Sequence, residues 1–95
     1  MNISHEEARN KGAFFVEENG KRQAELAYFK PAANKMNIYH TEVDERLRGK
    51  GVGRELVKAA VDLARENGFK IIASCPYAKK IIENTAEFRE LLIEK

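Results

Sequence analysis

The sequence predicts an α+β (mixed α/β) fold, in which a β-hairpin precedes a strand–helix–strand crossover and further helices follow. Two observations support this prediction. Hydrophobic residues alternate with polar ones in the first half of the chain and recur at helical spacing from Val52 onward. A strand, a long helix and a second strand in succession form a crossover, which makes the two strands parallel. The predicted order of elements is therefore β-β-β-α-β-α-α.

The first strands form a hairpin. Residues 14–16 are continuously apolar, residues 24–28 alternate, and Asn19-Gly20 between them is a strong turn signal. The first ten residues contain no apolar run, and we expect His5 to lie in a polar leader that takes no part in the site. Residues 30–34 predict a loop, since Pro31 cannot donate to a strand ladder.

Residues 35–43, KMNIYHTEV, predict the strand that leads into the crossover. In a regular strand, successive side chains point to opposite faces of the sheet. By that rule Met36, Ile38, His40 and Glu42 share one face, and Asn37, Tyr39, Thr41 and Val43 share the other.

The second half of the chain predicts three helices and one strand. Helical spacing begins at residue 52 and ends at Asn67-Gly68, which is a helix-stop signal. Residues 69–74 form a short apolar strand, and Pro76 suits the first turn of a short helix over residues 76–82. A last amphipathic helix is predicted from residue 84 or 85 to the end of the chain.

Composition restricts the function. The 95 residues, 43% hydrophobic and 34% charged, are typical of one folded domain over residues 1–95. The formal net charge of +2 is mild and mixed along the chain, which argues against a nucleic-acid surface. The single cysteine permits no internal disulfide, and no apolar run approaches the ~18 residues that span a membrane. We therefore expect a cytoplasmic protein, monomeric or weakly homodimeric, without nucleic-acid or membrane partners.

The segment RGKGVG, residues 48–53, joins the third strand to the long helix and holds three of the six glycines. The first amides of a helix have no intrahelical partner, and the helix dipole adds about half a positive charge there. Glycines let a phosphate oxygen approach such amides, and Arg48, Lys50 and Arg54 add positive charge. The segment thus predicts a phosphate-binding turn; the alternative is a tight turn that needs positive φ values. It matches neither the Rossmann nor the P-loop pattern.

The same segment matches the R/Q-x-x-G-x-G/A signature of GNAT-type N-acetyltransferases at Arg48, Gly51 and Gly53. With the flanking strand and helix and the CPY stretch, residues 40–80 resemble a compact, single-domain GNAT subgroup. The resemblance implies a minimal GNAT fold that binds acetyl-CoA, needs no metal and transfers acetyl to an unidentified amine. Many GNAT chains carry further elements around the acceptor pocket, so an open acceptor side is implied, which could suit a protein or polyamine amine or be completed by another chain.

The resemblance also assigns roles to residues. The pantetheine arm would pair with the backbone of Glu42 and Val43, and Ser74, Cys75 and Tyr77 would lie near the thioester. The CoA pyrophosphate would be held by Arg48, Gly49, Lys50, Gly51, Val52, Gly53 and Arg54.

Cys75, His40 and Glu42 are the predicted catalytic residues. Cys75 at a helix start would have a lowered pKa, and would accept the acetyl group or protonate the leaving thiolate; otherwise it is a small buried side chain. His40 would act as the general base and Glu42 would relay a proton through water. Tyr77 is the alternative acid.

Two other functions are compatible with these residues. The chain could bind CoA or acetyl-CoA without efficient catalysis, as a sensor or scaffold. The basic turn could instead belong to a phosphate- or nucleic-acid-binding domain. Binding of acetyl-CoA separates the first alternative from the second.

Overall fold

The computed structural model describes residues 2–93 as a five-stranded sheet with helices packed on one face. The strands are β1 (Ser4–Ala8), β2 (Lys11–Glu18), β3 (Lys21–Ala32), β4 (Lys35–Val43) and β5 (Lys70–Ala73), in the spatial order β1-β2-β3-β4-β5. The helices are α1 (Val52–Asn67), α2 (Pro76–Glu83) and α3 (Ala86–Arg89). The first three strand pairs are antiparallel, and β4 and β5 are parallel. The predicted α+β class and the β4–α1–β5 crossover are confirmed.

The hydrophobic core lies between the helices and the sheet. Leu56, Val57 and Val61 repeat along α1 with helical periodicity and are fully buried. They pack with alternate side chains of the central strands and with the inward residues of α2 and α3. The sheet and C-terminal helices contribute Phe14, Leu26, Tyr28, Met36, Ile38, Ile71, Ile82 and Phe88. No helix within residues 2–93 is long and apolar enough to cross a membrane.

Strand β4 contains a β-bulge. Ile38 lies opposite Tyr28, but His40 lies opposite Ala27, the next residue along β3. Tyr39 is therefore an extra residue in β4, and beyond an extra residue the alternation of side chains is reversed.

The bulge changes which side chains of β4 share a face. Before it, Met36 is buried against the helices; beyond it, Thr41 contacts the buried Cys75 on that side. His40 and Glu42 lie exposed on the opposite face. The predicted grouping of Met36, Ile38, His40 and Glu42 on one face, and of Asn37, Tyr39, Thr41 and Val43 on the other, is therefore wrong.

The N-terminal half contains more strand than predicted. The polar leader is wrong for residues 4–8, which form the exposed edge strand β1. Its ladder to β2 uses backbone groups, so hydrophobic side chains are not required. The loop predicted over residues 30–34 is also wrong in part, because β3 continues to Ala32. A register shift between Phe29 and Ala32 accommodates Pro31.

The C-terminal segment is less helical than predicted. Helix α3 ends at Arg89 instead of continuing to the end of the chain. Beyond it, Leu92 forms a parallel bridge with Ile71, and the amide of Ile93 donates to the Ile71 carbonyl at 2.8 Å. Pairing with β5 thus replaces the last helical turns, and residues 94–95 of the predicted helix lie outside the described residues.

Candidate functional site

A cavity of about 590 Å³ opens between the end of β4, the RGKGVG segment (residues 48–53, the glycine turn) and the start of α2. The end of β4 and the glycine turn are close in sequence, and the crossover brings the start of α2 to the same end of the sheet. The lining residues are Thr41, Glu42, Val43, Arg48, Gly49, Gly51, Val52, Gly53 and Tyr77. All of them except Thr41 belong to the site that the sequence predicted.

The backbone of the glycine turn leaves open space in the cavity. Gly49 and Gly51 have φ values of 79° and 76°, a region that other residues rarely adopt. A Cβ at either position would meet no atom within 4 Å, so backbone conformation, not crowding, requires glycine. Arg48 lines the cavity beside them and contributes a positive charge.

The start of α1 presents free amides at this turn. The first hydrogen bond of the helix runs from the amide of Glu55 to the carbonyl of Gly51, at 3.0 Å. The amides of Val52, Gly53 and Arg54 precede it, and such amides have no intrahelical acceptor. They lie at the positive end of the helix dipole, where an anionic oxygen is stabilised.

Gly53 lacks a side chain for a different reason. A Cβ there would lie 2.8 Å from two ring carbons of Tyr77 and still closer to its hydroxyl. The Tyr77 ring, half exposed, therefore crosses the first turn of α1 and forms part of the cavity wall.

Strands β4 and β5 separate next to the cavity. Their last register pair joins Ile38 to Ala73, and the amides of Ser74 and Cys75 donate to the Ile38 carbonyl at 2.9 and 3.2 Å. In the described part of the chain, residues 39–43 pair with β3 alone. One backbone edge of this segment is thus free to bind an extended ligand.

Cys75 lies behind the cavity wall and is only 8% exposed. Its thiol donates a hydrogen bond to the hydroxyl of Thr41, with Sγ and Oγ1 3.6 Å apart. Burial raises the pKa of the Cys75 thiol. Hydrogen bonds from the Ala78 amide, from Thr41 and from the Tyr77 amide outweigh burial, so that the pKa lies below its ordinary value.

His40 and Glu42 form a pair on the other face of β4. Nε2 of His40 lies 3.4 Å from Oε1 of Glu42, and both side chains are exposed. Glu42 lines the cavity, whereas His40 does not. The structure thus brings His40 to Glu42 but separates both from Cys75 by the thickness of the strand.

Two predicted cations of the turn do not line the cavity. Lys50 is exposed beside it. The guanidinium of Arg54 donates to the Thr85 hydroxyl at 3.0 Å and lies over the ring of Phe88. The side chain of Arg54 therefore fastens α1 to the C-terminal helices, and its backbone amide remains at the turn.

The sheet face opposite the helices carries carboxylates. Glu25 and Glu42 are register partners on β3 and β4. Arg22 pairs with Glu25 at 3.3 Å and with Glu6 at 2.8 Å. Glu25 lines two smaller cavities on this face, and one of them, of about 130 Å³, also reaches Glu42. Glu42 lines the main cavity as well, so this residue lies where the open face meets that cavity.

Comparisons with known proteins point to one family. A family model described as GCN5-related N-acetyl-transferase matches residues 13–91. Protein NATD1 of Homo sapiens is 33% identical over 82 residues, which cover 85% of this chain and 73% of NATD1. NATD1 of Xenopus tropicalis is also 33% identical over 82 residues, with 75% of the relative covered.

Solved structures show the same fold. A GCN5-like protein from Staphylococcus aureus, determined by NMR, is 37% identical with a TM-score of 0.76, covering 99% of this chain and 91% of that one. The ribosomal-protein-S18-alanine N-acetyltransferase of Escherichia coli is 20% identical with a TM-score of 0.65, covering 81% of this chain and 52% of that one.

Proposed function

Because this chain belongs to the GCN5-related N-acetyltransferase family, we propose that it holds acetyl-CoA in the 590 Å³ cavity and acetylates a cationic amine. The N-acetyltransferase activity follows from the family, whose members generally use acetyl-CoA. The observation on which the proposal rests is the cavity between the glycine turn and the free edge of β4. A cytoplasmic location and the absence of nucleic-acid and membrane partners stay predictions, as does a monomer or weak homodimer.

The residues around the cavity fit a CoA thioester. The amides of Val52, Gly53 and Arg54 would bind the pyrophosphate, since Gly49 and Gly51 leave the approach open. The pantetheine arm carries amide groups, which would pair with the free backbone edge of residues 39–43. The binding roles predicted for the backbone of Glu42 and Val43 belong to this edge.

Acetyl-CoA supplies an acetyl thioester and a thiolate leaving group that needs a proton. The acceptor amine must also lose a proton before it can attack. We assign this step to the carboxylate of Glu42, a residue of the cavity lining, with Nε2 of His40 3.4 Å from its Oε1 to share the proton. Because Cys75 does not line the cavity, its placement favours proton donation over direct attack on the acetyl group.

The open sheet face supports a cationic acceptor. Like charges directly opposite on neighbouring strands are destabilising, and Glu25 faces Glu42 in this way. Arg22 already pairs with Glu25, whereas no lysine or arginine among residues 2–93 pairs with Glu42. A polyamine that lies along this face would place a positive charge between the two carboxylates and offset their repulsion. Its reacting amine would then reach Glu42 at the main cavity.

The proposal is tested by calorimetry with acetyl-CoA, followed by CoA release in the presence of amines. We expect acetyl-CoA to bind, and spermidine to be acetylated faster than an uncharged amine of similar length. In Glu25→Gln the KM for spermidine should rise by about tenfold, or ~1.4 kcal/mol, with acetyl-CoA affinity unchanged. A chain that does not bind millimolar acetyl-CoA contradicts the donor site. Equal rates with charged and uncharged amines contradict the acceptor class.

Gly53→Ala is expected to displace Tyr77 from the cavity wall and lower turnover by about tenfold. The added methyl overlaps the phenol, which can rotate into solvent, so the free energy of unfolding should change by less than ~1 kcal/mol. Turnover and urea denaturation measure the two effects. In a Tyr77→Ala background, Gly53→Ala should cost nothing further. An equal loss in both backgrounds would show that Gly53 acts independently of Tyr77.

A further inference from the structure

Thr41 is part of the cavity wall and also contacts Cys75. We propose that the Thr41 hydroxyl connects the Cys75 thiol to the cavity and passes its proton to the departing thiolate. The inference rests on the proposed function, because the proton acceptor is the sulfur released in acetyl transfer.

The bulge at Tyr39 creates this connection. In a regular strand Thr41 would point to the open face, but the extra residue turns it toward the helices. There Oγ1 accepts the hydrogen bond from Cys75 Sγ at 3.6 Å. Thr41 is partly exposed, whereas Cys75 is 8% exposed, so the hydroxyl is the more accessible end of the pair.

The proton balance is complete. Thr41 gives its hydroxyl proton to the thiolate and takes the proton of Cys75, so the Cys75 S–H bond breaks and one S–H bond forms in CoA. Cys75 remains as a thiolate, which the amides of Ala78 and Tyr77 stabilise at the start of α2. Solvent then returns a proton to Cys75 through Thr41.

The groups that hydrogen-bond to the Cys75 thiol are neutral, and the nearby charged side chains point elsewhere. On β4, His40 and Glu42 lie on the opposite face. On α2, Lys79 and Lys80 are exposed, and the ring of Tyr77 lies against α1. On α1, Arg54 is hydrogen-bonded to Thr85. Thr41 and the helix amides are therefore the groups whose removal should change the acidity of this thiol.

The first test uses the protein without ligand. Cys75 is the single cysteine of the sequence, so the ultraviolet absorbance of a thiolate reports on it alone, with Cys75→Ala as the blank. Thr41→Val keeps the shape of the side chain and removes the hydroxyl, whereas Thr41→Ser keeps the hydroxyl. We expect the titration midpoint to move to higher pH in Thr41→Val and to stay near that of the natural protein in Thr41→Ser.

The second test is a double-mutant cycle on turnover. If both residues act in one relay, Thr41→Val and Cys75→Ala should each lower kcat by about a hundredfold, and the double variant should lose no more. Thr41→Ser should recover most of the rate. Additive losses, or a Thr41→Val variant as fast as the natural protein, would overturn the relay.

The two tests also separate this inference from the function on which it rests. Coincident thiolate titrations in Thr41→Val and Thr41→Ser overturn the link between the two residues, whatever the turnover shows. A shifted titration in a protein that acetylates no amine contradicts the proposed function and, with it, the relay. An acetyl group found on Cys75 by intact-mass measurement during turnover, absent in Cys75→Ala, would overturn the relay in favour of a covalent intermediate.

Discussion

Gly51→Val is expected to weaken acetyl-CoA binding by at least about tenfold while the chain stays folded. Gly51 has a φ of 76°, and a β-branched residue in this conformation costs about 1–3 kcal/mol. The turn would relax away from that conformation, and the amides of Val52 and Gly53 would no longer point together at the proposed anion site. A side chain at this position would also enter the open space proposed for the pyrophosphate.

Gly20→Val is the matched control. Gly20 has a φ of 75° and open space around its missing side chain, but it lies in the hairpin turn between β2 and β3. Urea denaturation should show a similar loss of stability in both variants, and calorimetry should show lost affinity in Gly51→Val alone. Equal affinity for acetyl-CoA in the two variants would mean that Gly51 serves only the backbone conformation of the turn and not the binding of acetyl-CoA.

The natural protein is expected to lose stability at alkaline pH because of Tyr28, and the Tyr28→Phe variant is expected to lack this loss. Tyr28 is fully buried, and its hydroxyl donates to Oε2 of Glu7 at 3.0 Å. Burial, together with the hydrogen bond to Glu7 and the charge of Glu7, raises the pKa of Tyr28 far above its ordinary value. The unfolded chain loses this proton near pH 10, whereas the folded chain keeps it. Stability is thus complete below about pH 10 and falls by about 1.4 kcal/mol per pH unit above it.

The measurement is urea denaturation at about pH 8 and about pH 11, on either side of the tyrosine titration. Tyr39→Phe is the control, since Tyr39 is 44% exposed and should leave the alkaline loss intact. At the lower pH, Tyr28→Phe should itself cost about 1–3 kcal/mol, because Glu7 and His5 lose their partner. An alkaline loss of equal size in Tyr28→Phe and the natural protein would contradict this account.

Local chemistry explains why part of the site could be predicted. The requirement for glycine at residues 49 and 51 comes from single backbone positions, and the bounds of α1 follow from its periodicity and its stop signal at Asn67-Gly68. The resemblance to acetyltransferases rests on the same short segment, so the cavity-lining residues of the turn could be named from the sequence.

Pairing between distant segments explains what could not be predicted. No residue type marks the bulge at Tyr39, which depends on how β4 aligns with β3. The position of Thr41 beside Cys75 and in the cavity wall could not be predicted for that reason. The edge strand β1 is held by a backbone ladder and by a hydrogen bond between Nε2 of His5 and the hydroxyl of Tyr28, which lie 2.7 Å apart. Neither interaction produces a hydrophobic pattern in the sequence. Likewise, the bridge of Leu92 to Ile71 overrides the helical pattern at the C-terminus.

The extra residue in β4 places the proposed base and the proposed acid on opposite faces of the same strand. In the proposed mechanism, Glu42 and His40 on the open face would take up the proton of the amine, and Thr41 and Cys75 on the helix side would give one to the thiolate. Direct proton transfer from the acid to the base would leave the acid deprotonated and the base protonated, and neither could then act. The backbone of β4 separates these two pairs of side chains, so the proton taken from the amine and the proton given to the thiolate would pass through different groups at one cavity.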